Sequence, residues 1–204
     1  LDEALPLSEM TAASTEKLYG IGSRMALVRY SQVASIHSAM EHCDKALEMK
    51  RRLWDQGVRK YGESDQDVMY VGSSLADNEF KCGNKELGIA LKKQIIDTQV
   101  RRFGEEYPEA HSGRFFLAGM LKKKKLYREA LRVLEAIDPE KLAVSTSSPA
   151  ATHWINIERG DVLISLKEKA RGRALISTAI EGAVKMGIAP DSKRLVDARK
   201  LLGN

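Results

Sequence analysis

No apolar run in this chain approaches the roughly 20 residues that a membrane-spanning helix needs, and the N-terminus lacks the charged-then-apolar layout of a secretory signal. The sequence opens at Leu1 rather than Met, which leaves import into an organelle open. Cysteine is scarce. Cys43 and Cys82 are the two present, 39 residues apart, and match neither a disulfide framework nor a clustered metal site, so reduced thiols in an intracellular compartment, cytoplasmic or mitochondrial, are expected. The four histidines, His37, His42, His111 and His153, are scattered without ligand spacing, and surface or packed roles are expected for them rather than metal binding or acid-base chemistry. Gly20-Ile21-Gly22-Ser23 lacks the strand before it and the lysine after it that a phosphate loop requires, and reads as a linker. No catalytic residue, metal or cofactor is predicted, and the chain is expected not to be an enzyme. Net charge is +5, from 33 basic against 28 acidic residues spread along the chain, which permits an acidic partner without demanding one.

What the chain does have is a stride. Ala118 and Ala130 stand twelve apart on either side of Lys122-Lys123-Lys124-Lys125, a spacing that fits helix, turn, helix. Stepping by 42 (88−46, 130−88, 172−130) finds Ala46, Gly88, Ala130 and Gly172, and one step earlier Ala4. The first member recurs as Ala34, Ala76, Ala118 and Gly160. Tyr19-Gly20, Tyr61-Gly62 and Phe103-Gly104 repeat in the same register, an aromatic followed by the residue best able to end a helix with positive φ. Helix axes lie about 8 to 10 Å apart, so small residues at a fixed interval mark where the helices of a pair cross most closely.

Apolar periodicity predicts helices over 1–18, 24–40, 44–60, 66–81, 87–102, 109–123, 126–137, 150–166 and 169–186, and a last one from Pro190 to about Leu202. The pattern lapses over 140–149, which reads as the longest loop. Lys50, Arg51, Arg52, Arg59 and Lys60 are assigned to the solvated face of their helix. A two-helix repeat buries both its faces only by stacking on its neighbours. The expectation is therefore a single domain over 1–204, all-α, with repeat units at 24–62, 66–104, 108–139 and 150–187 and a cap at 190–202.

Paired helices with small residues twelve apart, and Tyr127-Arg128-Glu129-Ala130-Leu131 opening a second helix, resemble the tetratricopeptide repeat (TPR) family. The 42-residue stride and the junction Phe103-Gly104-Glu105-Glu106-Tyr107-Pro108 are similar to the kinesin light chain type of that repeat. The resemblance covers about residues 4–187 and implies a right-handed α-solenoid. The paired asparagines of kinesin light chains are replaced by Ser31-Gln32, Ser73-Ser74, Phe115-Phe116 and Ile157-Glu158, and the carboxylate clamp of chaperone-binding members is not recognisable.

In TPR proteins generally, the first helix of each pair lines the concave face. On that basis the resemblance makes Tyr70, Ser73, Asp77, Phe80, Phe115, Gly119, Lys122, Trp154, Ile157 and Asp161 candidate partner-binding residues. Large apolar groups sit there beside isolated charges, although aromatic residues at helical spacing also serve as ordinary core. The leading function is a non-enzymatic protein-interaction scaffold or adaptor, holding a peptide or subunit on its concave or edge surface and belonging to a larger assembly. The alternative is a nucleic-acid- or ribonucleoprotein-associated adaptor using Lys122, Lys123, Lys124 and Lys125, with Lys92-Lys93 and Arg101-Arg102 in the neighbouring helix. No aromatics are interleaved with these charges as base-stacking platforms.

Overall fold

Eleven helices and no strand make up the described residues, 3–20 and 22–203, of the computed structural model. Leu1 and Asp2, at the start of the first expected helix, and Ile21, in the glycine-rich turn, lie outside those residues. The chain divides into two compact units, Leu1–Arg102 and Phe103–Asn204.

In the first unit, α1 (Ala4–Tyr19) packs on α2 (Arg24–Ala39). Next come α3 (Cys43–Tyr61), α4 (Gln66–Cys82) and α5 (Lys85–Phe103). α2 pairs with α3, α3 packs on α4, and α2 also lies against α4. Local chemistry starts α2 and α4 where the sequence predicts. Ser23 accepts the Ala26 N–H at α2, and Asp65 accepts those of Asp67 and Val68 at α4. Leu27, Leu53 and Val71 form a buried cluster flanked by Tyr30, Trp54 and Tyr61.

The second unit holds α6 (Pro108–Lys123), α7 (Tyr127–Glu135), α8 (Pro139–Thr146), α9 (Ala151–Ser165), α10 (Lys169–Lys185) and α11 (Lys193–Leu202). α6 pairs with α7 and α9 with α10, while α11 closes over α10. Trp154, Ile157, Ile176, Ile180 and Leu195 belong to its core.

The small residues sit at the crossings. Ala34, Ala46, Ala76 and Ala130 are completely buried and Ala118 nearly so. A Cβ on Gly88 would stand 2.7 Å from the Ala76 carbonyl oxygen, and one on Gly172 would stand 2.5 Å from that of Gly160. Position 76 thus faces 88, and 160 faces 172, as the twelve-residue spacing requires. Ala4 is exposed.

Two expectations are corrected. The stretch 140–149 is not a loop, because α8 fills most of it. Asp138 accepts the N–H groups of Glu140 and Lys141 and Pro139 takes the first helical position, so the Asp-Pro that stops α7 also starts α8. α7 is nine residues long, against nineteen in α3 and α5. The cysteines are not separate thiols, since Cys43 and Cys82 form a disulfide with their Cα atoms 5.4 Å apart. Cys43 begins α3 and Cys82 ends α4. Two successive antiparallel helices return the chain to its starting level, which brings residues 39 apart together. The argument from free thiols to a reducing compartment falls with that correction. Among the described residues no helix is long and apolar enough to cross a membrane.

Candidate functional site

The first helices of the pairs, α2 and α4 in one unit and α6 and α9 in the other, carry the expected partner-binding residues. On α4, Tyr70 is half exposed, Ser73 and Asp77 are partly exposed, and Phe80 is buried. Beneath this face lie two lysines, each only 1% exposed. The Lys50 ammonium, from α3, donates to the Ser35 hydroxyl at 2.8 Å, to the Ser74 carbonyl at 3.2 Å and to the Ser74 hydroxyl. Lys92, from α5, donates to the Ser73 carbonyl at 2.9 Å and hydroxyl at 2.8 Å, and pairs with Asp77 at 2.8 Å. An ammonium has three N–H donors, and each lysine therefore finds an acceptor for every one. Burial pushes Lys50 down to about 8, with Asp77 opposing the shift and Lys92 adding to it. Lys92 is also lowered, burial outweighing Asp77. The face of the first unit is thus serine-rich, with positive charge held just below it.

The second unit differs. Phe115 is partly buried, Phe116 is 53% exposed, and a Cβ on Gly119 would meet nothing within 4 Å. Lys122 reaches from α6 to α9, 2.5 Å from Glu158 and 2.7 Å from Asp161. Burial works against its charge, but the two carboxylates outweigh it and hold the lysine above its ordinary pKa. Trp154 and Ile157 are buried in the core. The Arg194 guanidinium of α11 lies 4.2 Å from the Trp154 ring centroid and 5.8 Å from that of Phe115. α8 packs on both α6 and α9. Among the described residues no group of three or more His, Cys, Asp or Glu side chains is placed to hold a metal ion.

No family model matches the sequence, and no curated protein matches it. Solved structures do. A crystal structure of nearly identical TPR-like repeats, from a Podosopora anserina protein assigned as a kinesin light chain, superposes with a TM-score of 0.72 at 13% identity, over 89% of this chain and 86% of that one. A single-substitution variant of those repeats gives 0.70 at 15%, over 91% and 88%. BtubC (BKLC) from P. vanneervenii gives 0.74 at 18%, over 94% and 77%. This is a TPR-like repeat fold.

Within that TPR-like frame, the expected residues differ in exposure. Tyr70, Ser73 and Asp77 present polar atoms or ring edges on α4, whereas Phe80, Trp154 and Ile157 are core and offer a partner little surface. Lys122 and Asp161 bond to each other rather than standing open. The basic run divides accordingly: Lys122 faces α9, while Lys123, Lys124 and Lys125 are exposed at the turn. Lys50 corrects the expectation of a solvated face, which Arg51, Arg52, Arg59 and Lys60 keep, and Lys92, expected to add positive charge to its helix, is buried as well. Both stand four residues after a small crossing residue, where the other two pairs hold Leu134 and Ile176, also buried. That register was the available signal for their burial, and the charge of lysine masked it.

Proposed function

We propose that this chain is a non-enzymatic scaffold that holds a partner protein against the first helices of its TPR-like pairs. The supporting observation is on α6, where Phe116 stands more than half exposed one turn from the open Cβ position of Gly119. An exposed aromatic beside a vacancy is the kind of anchor on which binding energy concentrates in protein interfaces. Tyr70, Ser73 and Asp77 supply a second, more polar stretch on α4, with Lys50 and Lys92 beneath it. A phosphate-binding role is less well supported, because Glu158 and Asp161 already neutralise Lys122.

The test is recovery of partners from native extract on the tagged full chain, identified by mass spectrometry. Phe116→Ala and Gly119→Trp should each remove the same proteins from the recovered set while leaving the helical circular-dichroism melt in place. Recovery of an unchanged set by both variants would refute the site. Collapse of the whole set between low and moderate salt would favour nucleic acid instead.

A further inference from the structure

Where α7, α9 and α10 converge in the second unit they leave an open groove of about 670 Å³. Leu131 and Glu135 of α7, Asn156, Arg159 and Leu163 of α9, and Arg171 and Leu175 of α10 line it, each set at the three- or four-residue spacing of a helix face. Arg159 is the anomaly. It sits one residue before Gly160, and the equivalent positions hold Val33, Leu75 and Leu117, all buried apolar residues. In place of a fourth aliphatic group stands a guanidinium. Its Nη2 caps the Leu134 carbonyl in the last turn of α7 at 2.8 Å, and its Nη1 reaches Asn156 Oδ1 at 3.5 Å. Its Nε is buried and has no hydrogen-bond partner among the described residues. Burial lowers the arginine from its ordinary range, opposed only by the more distant charge of Glu135. Among the described residues Arg159 has no ion-pair partner; a desolvated cation in that state is costly, and a carboxylate is the group that relieves it best.

We propose that this groove binds a carboxylate carried on a short aliphatic body, with Arg159 pairing the carboxylate, Arg171 at the rim although already paired with Glu168 at 3.0 Å, and Leu131, Leu163 and Leu175 flanking the hydrocarbon. The same chemistry is offered by a free aliphatic acid and by the leucine-like C-terminus of another polypeptide. The site is separate from the α6 face, so the Phe116→Ala and Gly119→Trp variants should bind the probes below as the natural chain does.

Calorimetric titration of the full chain with hexanoate, N-acetyl-leucine and N-acetyl-leucinamide tests it. Both acids should bind and raise the melting temperature, and the amide should bind at least about tenfold more weakly. Hexanoate as the tighter acid identifies a free acid as the source, and N-acetyl-leucine as the tighter one identifies a C-terminus. Arg159→Leu, which restores the residue type of the other pairs, should abolish binding of both acids without lowering the melting temperature. Ala174→Glu, which places a fixed carboxylate on an exposed position of the wall, should abolish it as well and carries no risk to the core. Equal binding of acid and amide would overturn the proposal. So would a wild-type chain indifferent to all three probes; if the Arg159→Leu chain also melts earlier, Arg159 is only the cap of α7.

Discussion

Lys50 joins two first helices at once, its buried ammonium donating to Ser35 of α2 and to Ser74 of α4. A buried ion that is fully hydrogen-bonded costs much of what it returns, and an apolar group of similar length does as well or better. Lys50→Met should therefore leave urea-unfolding stability unchanged or raise it by about 1 kcal/mol. Ser74→Ala should lower it by about 1–3 kcal/mol, because it removes an acceptor and leaves the cation in place.

The same lysine sets a pH dependence. Its folded pKa of about 8 lies below the ordinary 10.5, so between those values the unfolded chain holds a proton that the folded chain has released. Stability contributed by this site must then rise as pH climbs from about 8 towards 10.5, by roughly 1–3 kcal/mol. The check is the difference between the natural chain and Lys50→Met at pH 7.5 and 9.5, which should shift in favour of the natural chain at the higher pH.

His111 gives the complementary dependence on the acid side. Its Nε2 lies 2.9 Å from the Glu105 carbonyl and its Nδ1 3.1 Å from the Asp138 N–H, an arrangement that uses the neutral ring as both donor and acceptor. Burial and then Arg114 lower its pKa, outweighing the Glu105 carbonyl, Asp138 and Glu106. Below about 6.5 the unfolded chain takes up a proton that the folded one resists, so stability present above that pH is lost as pH falls. His37 is lowered as well, chiefly by burial, and adds to the loss. Melting curves between pH 7.5 and 5 should show it, and His111→Gln should reduce the slope.

Reduction of the Cys43–Cys82 disulfide should destabilise the first unit by about 4 kcal/mol on the chain-entropy estimate for a loop of this size. Trp54 belongs to the first unit and Trp154 to the second, so a Trp154→Phe background isolates the relevant fluorescence. An unfolding midpoint that ignores dithiothreitol would show that the link contributes nothing in solution.

Two glycines separate packing from propensity. Gly172→Ala should cost about 1–3 kcal/mol, since the new Cβ meets the Gly160 carbonyl and neither backbone can withdraw. Gly119→Ala should stabilise by roughly 1 kcal/mol, because its Cβ enters open space on a helix. Chemical denaturation of both variants gives the contrast directly.

The repeat was legible in the sequence because its small residues answer to backbone distance, which leaves almost no choice of side chain. Ala34, Ala46, Ala76, Ala118 and Ala130 could be placed from spacing alone. The features that escaped were those where one residue type serves opposite environments. Asp138-Pro139 is as good a start as a stop. Lys50 and Lys92 carry a charge normally associated with water, yet serine and aspartate at positions 35, 73, 74 and 77 had already supplied their acceptors. The cysteine pair was missed for a third reason: 39 residues looks remote until two antiparallel helix lengths are laid side by side. At the candidate site, which aromatics face outward depends on the rotation of each helix about its axis, and Phe116 rather than Phe115 or Trp154 could not be read from periodicity.

Gly62, which follows α3, has φ 85° and ψ 156°, a backbone region that an L side chain strongly resists although nothing lies within 4 Å of the Cβ it would carry. Gly20 after α1 repeats the geometry at 89° and 158°. The obstacle at these junctions is chirality rather than room. A chain assembled chemically with D-alanine at either position would keep the bend, while the L enantiomer of the same residue would fight it.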